Sequence, residues 1–227
     1  PDGCVDIVWI DDAPPVVAGP ATQPVIAHLR RGAFLVGARF RPGCAAGSLG
    51  IPADQLVDRT VPLDEVVSQD NDDLFGRVVR WQSAADRLRE VSLMLGRHFG
   101  RLPGIDPAVE HSIRWLVDHP GGRVRDLSDA TGLSERQTLR RFMVGVGYGP
   151  KTFQRVLRLQ RLLVLTQMRD PSPALADLVH ICGYSDQSHL SREVRGLTGV
   201  TPHQLFAGSG YALSMSEFFK TPGDAGG

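Results

Sequence analysis

The stretch that decides the fold is Leu175-Ala176-Asp177-Leu178-Val179-His180-Ile181-Cys182-Gly183-Tyr184-Ser185-Asp186-Gln187-Ser188-His189-Leu190-Ser191-Arg192-Glu193-Val194. A short apolar-periodic run breaks at Gly183 and resumes behind polar residues. Glycine has no Cβ and takes positive φ, which a tight turn between two helices requires. Ser185 or Asp186 then serves as the cap of the second helix. Gln187, Ser188, Ser191 and Arg192 recur at i, i+1, i+4 and i+5, so they share one polar face. Gln matches the paired donor and acceptor of an adenine edge, and Arg matches guanine. Short helix, turn and polar-faced helix is the layout of a helix-turn-helix unit.

The same layout occurs earlier, in Val124-Arg125-Asp126-Leu127-Ser128-Asp129-Ala130-Thr131-Gly132-Leu133-Ser134-Glu135-Arg136-Gln137-Thr138-Leu139-Arg140-Arg141-Phe142. Gly132 supplies the turn. Ser134 is the predicted cap, and Gln137 stands three residues later in capping-box position. The second helix is expected from Glu135 to about Val146. Thr138, Arg141 and Phe142 fall toward its inner side, and Arg136, Leu139 and Arg140 toward its outer side. Ahead of this unit, Asp106 caps a helix that begins at Pro107 and ends before Pro120-Gly121-Gly122. Between the units, Thr152 to Met168 reads as one long helix with Phe153, Leu157, Val164 and Leu165 apolar. Arg155, Arg158 and Arg161 are spaced three apart along it. Arg158 and Arg161 read as braces between the units, with phosphate contact as the other reading. At about 1.5 Å per residue, such a helix holds two recognition helices roughly one DNA turn, about 34 Å, apart.

Residues from about 105 to 206 resemble the AraC/XylS family of transcription regulators. The resemblance rests on Leu133-Ser134-Glu135-Arg136-Gln137, Arg140-Arg141-Phe142, Gly149-Pro150-Lys151, Arg158 and Arg161. Its strongest part is Gly183-Tyr184-Ser185-Asp186-Gln187-Ser188-His189-Leu190-Ser191-Arg192-Glu193, followed by Leu197-Thr198-Gly199 and Thr201-Pro202. It implies an all-helical domain that binds double-stranded promoter DNA and contacts RNA polymerase. Carried over residue by residue, the DNA-facing positions are Arg136, Leu139 and Arg140, then Gln187, Ser188, Ser191 and Arg192. Leu139 has no hydrogen-bonding group and offers only contact with a thymine methyl. Ser128 and Val179 stand where the family usually has Ala, and Val194 where it usually has Phe. Val179 predicts altered packing in the second unit, and Val194 a thinner core there.

The front half reads differently. Val5, Ile7 and Trp9 alternate as a strand, Val25 to Leu29 reads as a second, and Phe34 to Phe40 as a third. Phe34, Val36 and Phe40 share one face of the third. Pro14-Pro15, Gly19-Pro20, Arg31-Gly32 and Pro42-Gly43 are the turns between these runs. So few strands suggest part of a barrel or sandwich. Pro1-Asp2-Gly3-Cys4-Val5-Asp6, Gly37 to Gly43 and Gly50-Ile51-Pro52 resemble the regulatory region of a subgroup of the same family. In that subgroup more sequence precedes this motif, so the chain is expected to start inside a longer protein. Asp2, Asp6 and Arg39 are read as a structural ion pair, with a ligand pocket as the other reading. From Asp72 the period turns helical, with Leu74, Phe75, Val78, Val79 and Trp81 on one stripe and Leu88, Val91, Leu95 and Phe99 on a second. These helices are expected to pack on their own domain, with a dimer seam as the alternative.

Composition narrows the function. The chain has 227 residues, 42% of them apolar, which suits a globular protein. No run of about 18 apolar residues occurs, so no membrane partner is expected. Residues 1–100 hold 10 basic and 13 acidic side chains, and residues 101–200 hold 14 and 10, so the balance moves from −3 to +4. A basic half joined to an acidic half suits a nucleic-acid module with a separate attachment. Cys4, Cys44 and Cys182 are three and widely spaced, which fits buried thiols in a reducing cytoplasm rather than a disulfide framework. No metal motif, Ser nucleophile elbow or phosphate loop occurs, so neither a metal, a cofactor nor catalysis is expected.

The expected architecture is α+β. Residues 1–70 form a β-rich effector region, 71–102 a helical connector, 103–208 an all-α DNA-binding domain with two helix-turn-helix motifs, and 209–227 a tail. A small-molecule effector and a homodimer are the further partners this reading admits. The rival reading is a ligand- or thiol-sensing module whose degenerate DNA-binding domain serves protein interaction.

Overall fold

The computed structural model describes residues 1–25, 29–67, 83–99, 104–168 and 175–207. Four short strands, β1 (Val5–Ile10), β2 (Val16–Ala18), β3 (Leu35–Phe40) and β4 (Thr60–Pro62), form one antiparallel sheet in the order β3-β1-β2-β4. Strand β1 is buried at every second residue, as its alternation predicts. Val5, Ile7 and Trp9 face the core, and their register partners on β3 are Phe40, Ala38 and Val36. On the opposite face Asp6 pairs in register with Arg39. The Arg39 guanidinium lies 2.6 Å from Asp6 and 3.1 Å from Asp2. Its hydrogen bond to Asp6 holds it above the ordinary arginine range.

The sheet's apolar face is closed by two helices, α1 (Ala45–Leu49) and α2 (Ala84–Phe99). Ala45 and Leu49 come from α1; Val91, Met94, Leu95 and Phe99 come from α2. The Phe40 and Phe99 rings meet edge to face at 5.3 Å. Helix α2 therefore packs on the sheet beside it. Leu88, expected on the inner stripe, is exposed. The stripe from Leu74 to Trp81 lies outside the described residues.

Two of the four strands were not anticipated. Val16–Ala18 and Thr60–Pro62 are three residues each, too short for alternation to register, and the first sits between two runs read as turns. They pair with each other, with Val17 opposite Val61 and both buried. The strand expected over 25–29 lies partly outside the described residues. Val25 and Leu29 at its ends are not in a strand and are exposed.

Seven helices follow among the described residues: α3 (Pro107–Asp118), α4 (Asp126–Thr131), α5 (Glu135–Val146), α6 (Pro150–Met168), α7 (Leu175–Ile181), α8 (Gln187–Thr198) and α9 (Pro202–Ala207). Three of these starts, those of α3, α5 and α8, are set by side chains that satisfy backbone N–H groups left open at a helix end. Asp106 accepts from Ala108 with Pro107 as first helical residue, and Ser134 and Gln137 form a complete capping box. Of the two caps proposed for the last polar-faced helix, it is Asp186 that accepts from the His189 backbone, at 2.7 Å. The long helix begins at Pro150, two residues before the expected start.

The helices enclose one core, centred on Phe142 and Phe153 at 5.5 Å, with Leu116, Leu127, Leu159, Leu162, Leu178, Leu190 and Leu197 fully buried around them. Val179 and Val194 are both buried in it. The front half reaches into this core as well. Cys4 is a member of it and Val57 packs against it. The Gln160 amide, itself buried, donates to the Pro1 carbonyl at 2.9 Å. Helix α1 and the 3-10 turn Ala53–Gln55 lie against α5.

Candidate nucleic-acid interface

Each helix pair is built around a left-handed glycine. Helix α4 ends at Gly132, with φ +66°, and α5 starts three residues later. Helix α7 is followed by Gly183, with φ +80°, and α8 starts four residues later. At the second turn the Tyr184 N–H donates to the Val179 carbonyl at 2.8 Å and the Gly183 N–H to the His180 carbonyl at 3.0 Å. This closes the carbonyl end of α7 as a Schellman-type stop.

The inner face of α5 is held by Thr138, Phe142 and Val146, all buried. Its outer face carries the residues singled out from sequence. Arg136 and Arg140 are exposed and make no hydrogen bond or ion pair to any described residue. Leu139 is 45% exposed, and its tip leans toward Gly149, where an added Cβ would stand 3.0 Å from Leu139 Cδ1. Arg141, expected on the inner side, sits at the rim instead and pairs with Asp106 at 3.0 Å. That contact ties α5 to the start of α3.

On α8, Leu190, Glu193, Val194 and Leu197 face inward. Gln187, Ser188 and Arg192 are exposed, and Ser191 is half-buried. The Arg192 Nε donates to the Ser188 carbonyl at 3.3 Å, which lays the side chain along the outer face of its own helix. The seven residues picked from sequence therefore fall into two groups, one on each of α5 and α8, and none is buried.

Behind α8 lies a charged cluster whose partner the sequence reading missed. Arg158, 2% exposed, makes a bidentate pair with Glu193, Nη2 to Oε1 at 2.7 Å and Nε to Oε2 at 3.0 Å. Arg155 Nε approaches the same carboxylate at 3.4 Å, and His189 Nε2 at 3.2 Å. The Arg158 guanidinium also stands 5.4 Å from the centre of the Tyr184 ring, within cation–π range. Bidentate pairing is the geometry in which a buried carboxylate is fully satisfied. The missed signal was in α8 itself. Glu193 falls three and four residues from Leu190 and Leu197, so a charge occupies a core position and demands a buried cation.

Two family models match. One, a helix-turn-helix domain, covers residues 127–208. The other, a domain of unknown function (DUF6597), covers residues 1–62. Two proteins whose names describe them as AraC-like transcription regulators, from Streptomyces lividans and Streptomyces antibioticus, are each 31% identical over 106 residues. Residues 127–208 thus match a helix-turn-helix domain family and are similar to proteins named AraC-like. The matched stretch is 45% of this chain and 34% of each Streptomyces protein, so the chain spans about a third of their length. A solved structure of ToxT from Vibrio cholerae has 12% identity and a TM-score of 0.41, over 63% of this chain and 56% of that one.

No group of three or more His, Cys, Asp or Glu side chains among the described residues is placed to hold a metal ion. No helix among them is long and apolar enough to cross a membrane. Burial pushes all three thiols up, Cys182 to about 11. The thiolate is the reactive form, and burial disfavours it at all three positions.

Proposed function

We propose that this chain is a sequence-specific, DNA-binding transcription regulator whose helices α5 and α8 enter two successive major grooves. The observation that carries the reading is the matched pair of exposed polar faces. Arg136, Leu139 and Arg140 stand on α5, and Gln187, Ser188, Ser191 and Arg192 on α8, each backed by a closed core. Arg140 and Arg192 are suited to guanine edges and Gln187 to adenine. The +4 balance of residues 101–200 supplies sequence-independent attraction to phosphate.

In this mechanism the domain positions the protein at a promoter in the cytoplasm and presents a surface to RNA polymerase. The sheet half senses a small-molecule effector or supports a homodimer, and it acts on α5 through α1 and the 3-10 turn packed against it. The observations favour this over a thiol-sensing module with a degenerate interaction domain. Val179 and Val194, its sequence support, are packed in the core, and the thiols are held protonated.

The test is selection of duplexes from a random library, followed by affinity for the winner across salt. A consensus of two half-sites one turn apart is expected. Arg140→Ala and Arg192→Ala should each cost roughly 1–3 kcal/mol and relax specificity at one position. Absence of any consensus, with both variants silent, would sink the reading.

A further inference from the structure

The two helix-turn-helix units touch through a seam that neither recognition face requires. On the side of the first unit is the loop His119 to Gly122, which leads from α3 into α4. From the second comes the Gly183 turn between α7 and α8. A Cβ on Gly183 would stand 2.7 Å from the Pro120 carbonyl carbon and 2.8 Å from the Gly121 nitrogen, so the two backbones are in direct contact there. Helix α6 binds both sides of this contact. Gln154, 1% exposed, donates from Nε2 to the Gly122 carbonyl at 2.7 Å. One turn further along, Arg158 donates from Nη1 to the Pro120 carbonyl at 3.2 Å while its other nitrogens hold Glu193 on α8. One buried guanidinium thus ties a loop of the first unit to the recognition helix of the second.

We propose that this seam, made of the 119–122 loop, the Gly183 turn and the Arg158–Glu193 pair, fixes the spacing of α5 and α8 and makes the protein discriminate DNA sites by the separation of their half-sites. The inference rests on the DNA reading above. Packed interfaces held by buried, directional bonds switch between discrete arrangements and do not slide. One added base pair turns the second half-site by about 34° and shifts it by about 3.4 Å. A rigid seam cannot follow that change, whereas two units on a loose tether would. Arg158 and Glu193 are then positioning residues that touch no base.

Two measurements on the full chain test it. In the free protein, nitroxides are attached through Val144→Cys on α5 and Arg195→Cys on α8, both exposed positions, in a Cys44→Ser background. Electron–electron resonance should give one narrow distance peak, broadened by Gly183→Ala and by Glu193→Gln. In the second measurement the library-selected duplex is compared with versions carrying one or two extra base pairs between half-sites. The unsubstituted protein should lose affinity about tenfold on the first insertion, the scale of a mismatched base pair. The two seam variants should lose less than about threefold. A broad distance distribution in the unsubstituted protein overturns the proposal, as does its tolerance of the insertion. So does an unchanged insertion penalty in a seam variant that keeps its helical circular dichroism. A selected duplex with a single half-site overturns the spacing claim and leaves the DNA reading standing. Selection of no duplex, with no salt-dependent binding, sinks the DNA reading, and the spacing claim falls with it.

Discussion

Glu193 shows how a single side chain constrains a helix, here α8. Its carboxylate is nearly buried and faces the guanidinium groups of Arg158 and Arg155. Removing one partner strands the other away from water. Arg158→Ala and Glu193→Ala should therefore each cost about 3–5 kcal/mol in urea unfolding, and the double replacement Arg158→Met with Glu193→Leu much less. If the two single variants match the double one, the pair is not a buried, mutually dependent unit. The thiols give a second expectation at this scale. Cys44 is half-buried while Cys4 and Cys182 are buried, and burial raises all three. At pH 8, alkylation followed by mass spectrometry should modify Cys44 first and reach Cys4 and Cys182 only under denaturant. The bracing role of Arg158 was legible from its spacing on a long helix. The identity of its partner could have been read from the core spacing of Glu193 with Leu190 and Leu197, but the polar face of the helix drew the reading outward.

Among the elements, the helices were read well and the sheet only in part, and the difference is physical. A cap such as Ser134 or Asp186 is local chemistry within four residues of the helix it starts, and both are present. Ser134→Ala should destabilise the fold by about 1 kcal/mol in thermal or urea unfolding. At Asp186 the backbone N–H of His189 holds the carboxyl below the ordinary aspartate range. A depressed folded-state value means the cap's contribution is full above the unfolded value and fades as pH falls through the folded one. Loss of α8 helicity should begin below about pH 4 and be absent from Asp186→Asn. Strands β2 and β4 have no such local mark. They are three residues long and exist because they pair across more than forty positions of sequence, so only the tertiary structure reveals them. The turn glycines divide in the same way. Gly132 has open space where a Cβ would go, and Gly183 has the backbone of another unit. Gly132→Ala should cost about 1 kcal/mol from backbone strain, and Gly183→Ala clearly more, in matched unfolding curves.

For the molecule as a whole, the charge asymmetry predicts behaviour that no single contact sets. Affinity for the selected duplex should fall linearly on a log–log plot against salt, with a slope that Arg140→Ala reduces by about one if its partner is a phosphate. A flat salt profile would exclude phosphate contact altogether. The division into a β-rich front and a helical back was visible from the change of hydrophobic period. The joint between them was not, since nothing in the pattern around Cys4 distinguishes a sheet residue from one buried among helices. Residues 104–207 expressed alone would lack Cys4 and Val57, so their Tm should fall below that of the full chain.

That joint also sets an order of events during synthesis. Cys4 leaves the ribosome about 150 residues before Phe153, the ring whose cluster it completes. At roughly 5–20 residues per second the interval is on the order of ten seconds. Throughout that time the sheet can close on its own apolar face, but this edge of it has no surface to rest on. The helical half, which follows the sheet in the chain, completes its core by taking back Cys4 from a segment made well before it. Final assembly of the helical half is therefore timed by the return of the front segment, and its core closes only once both halves exist.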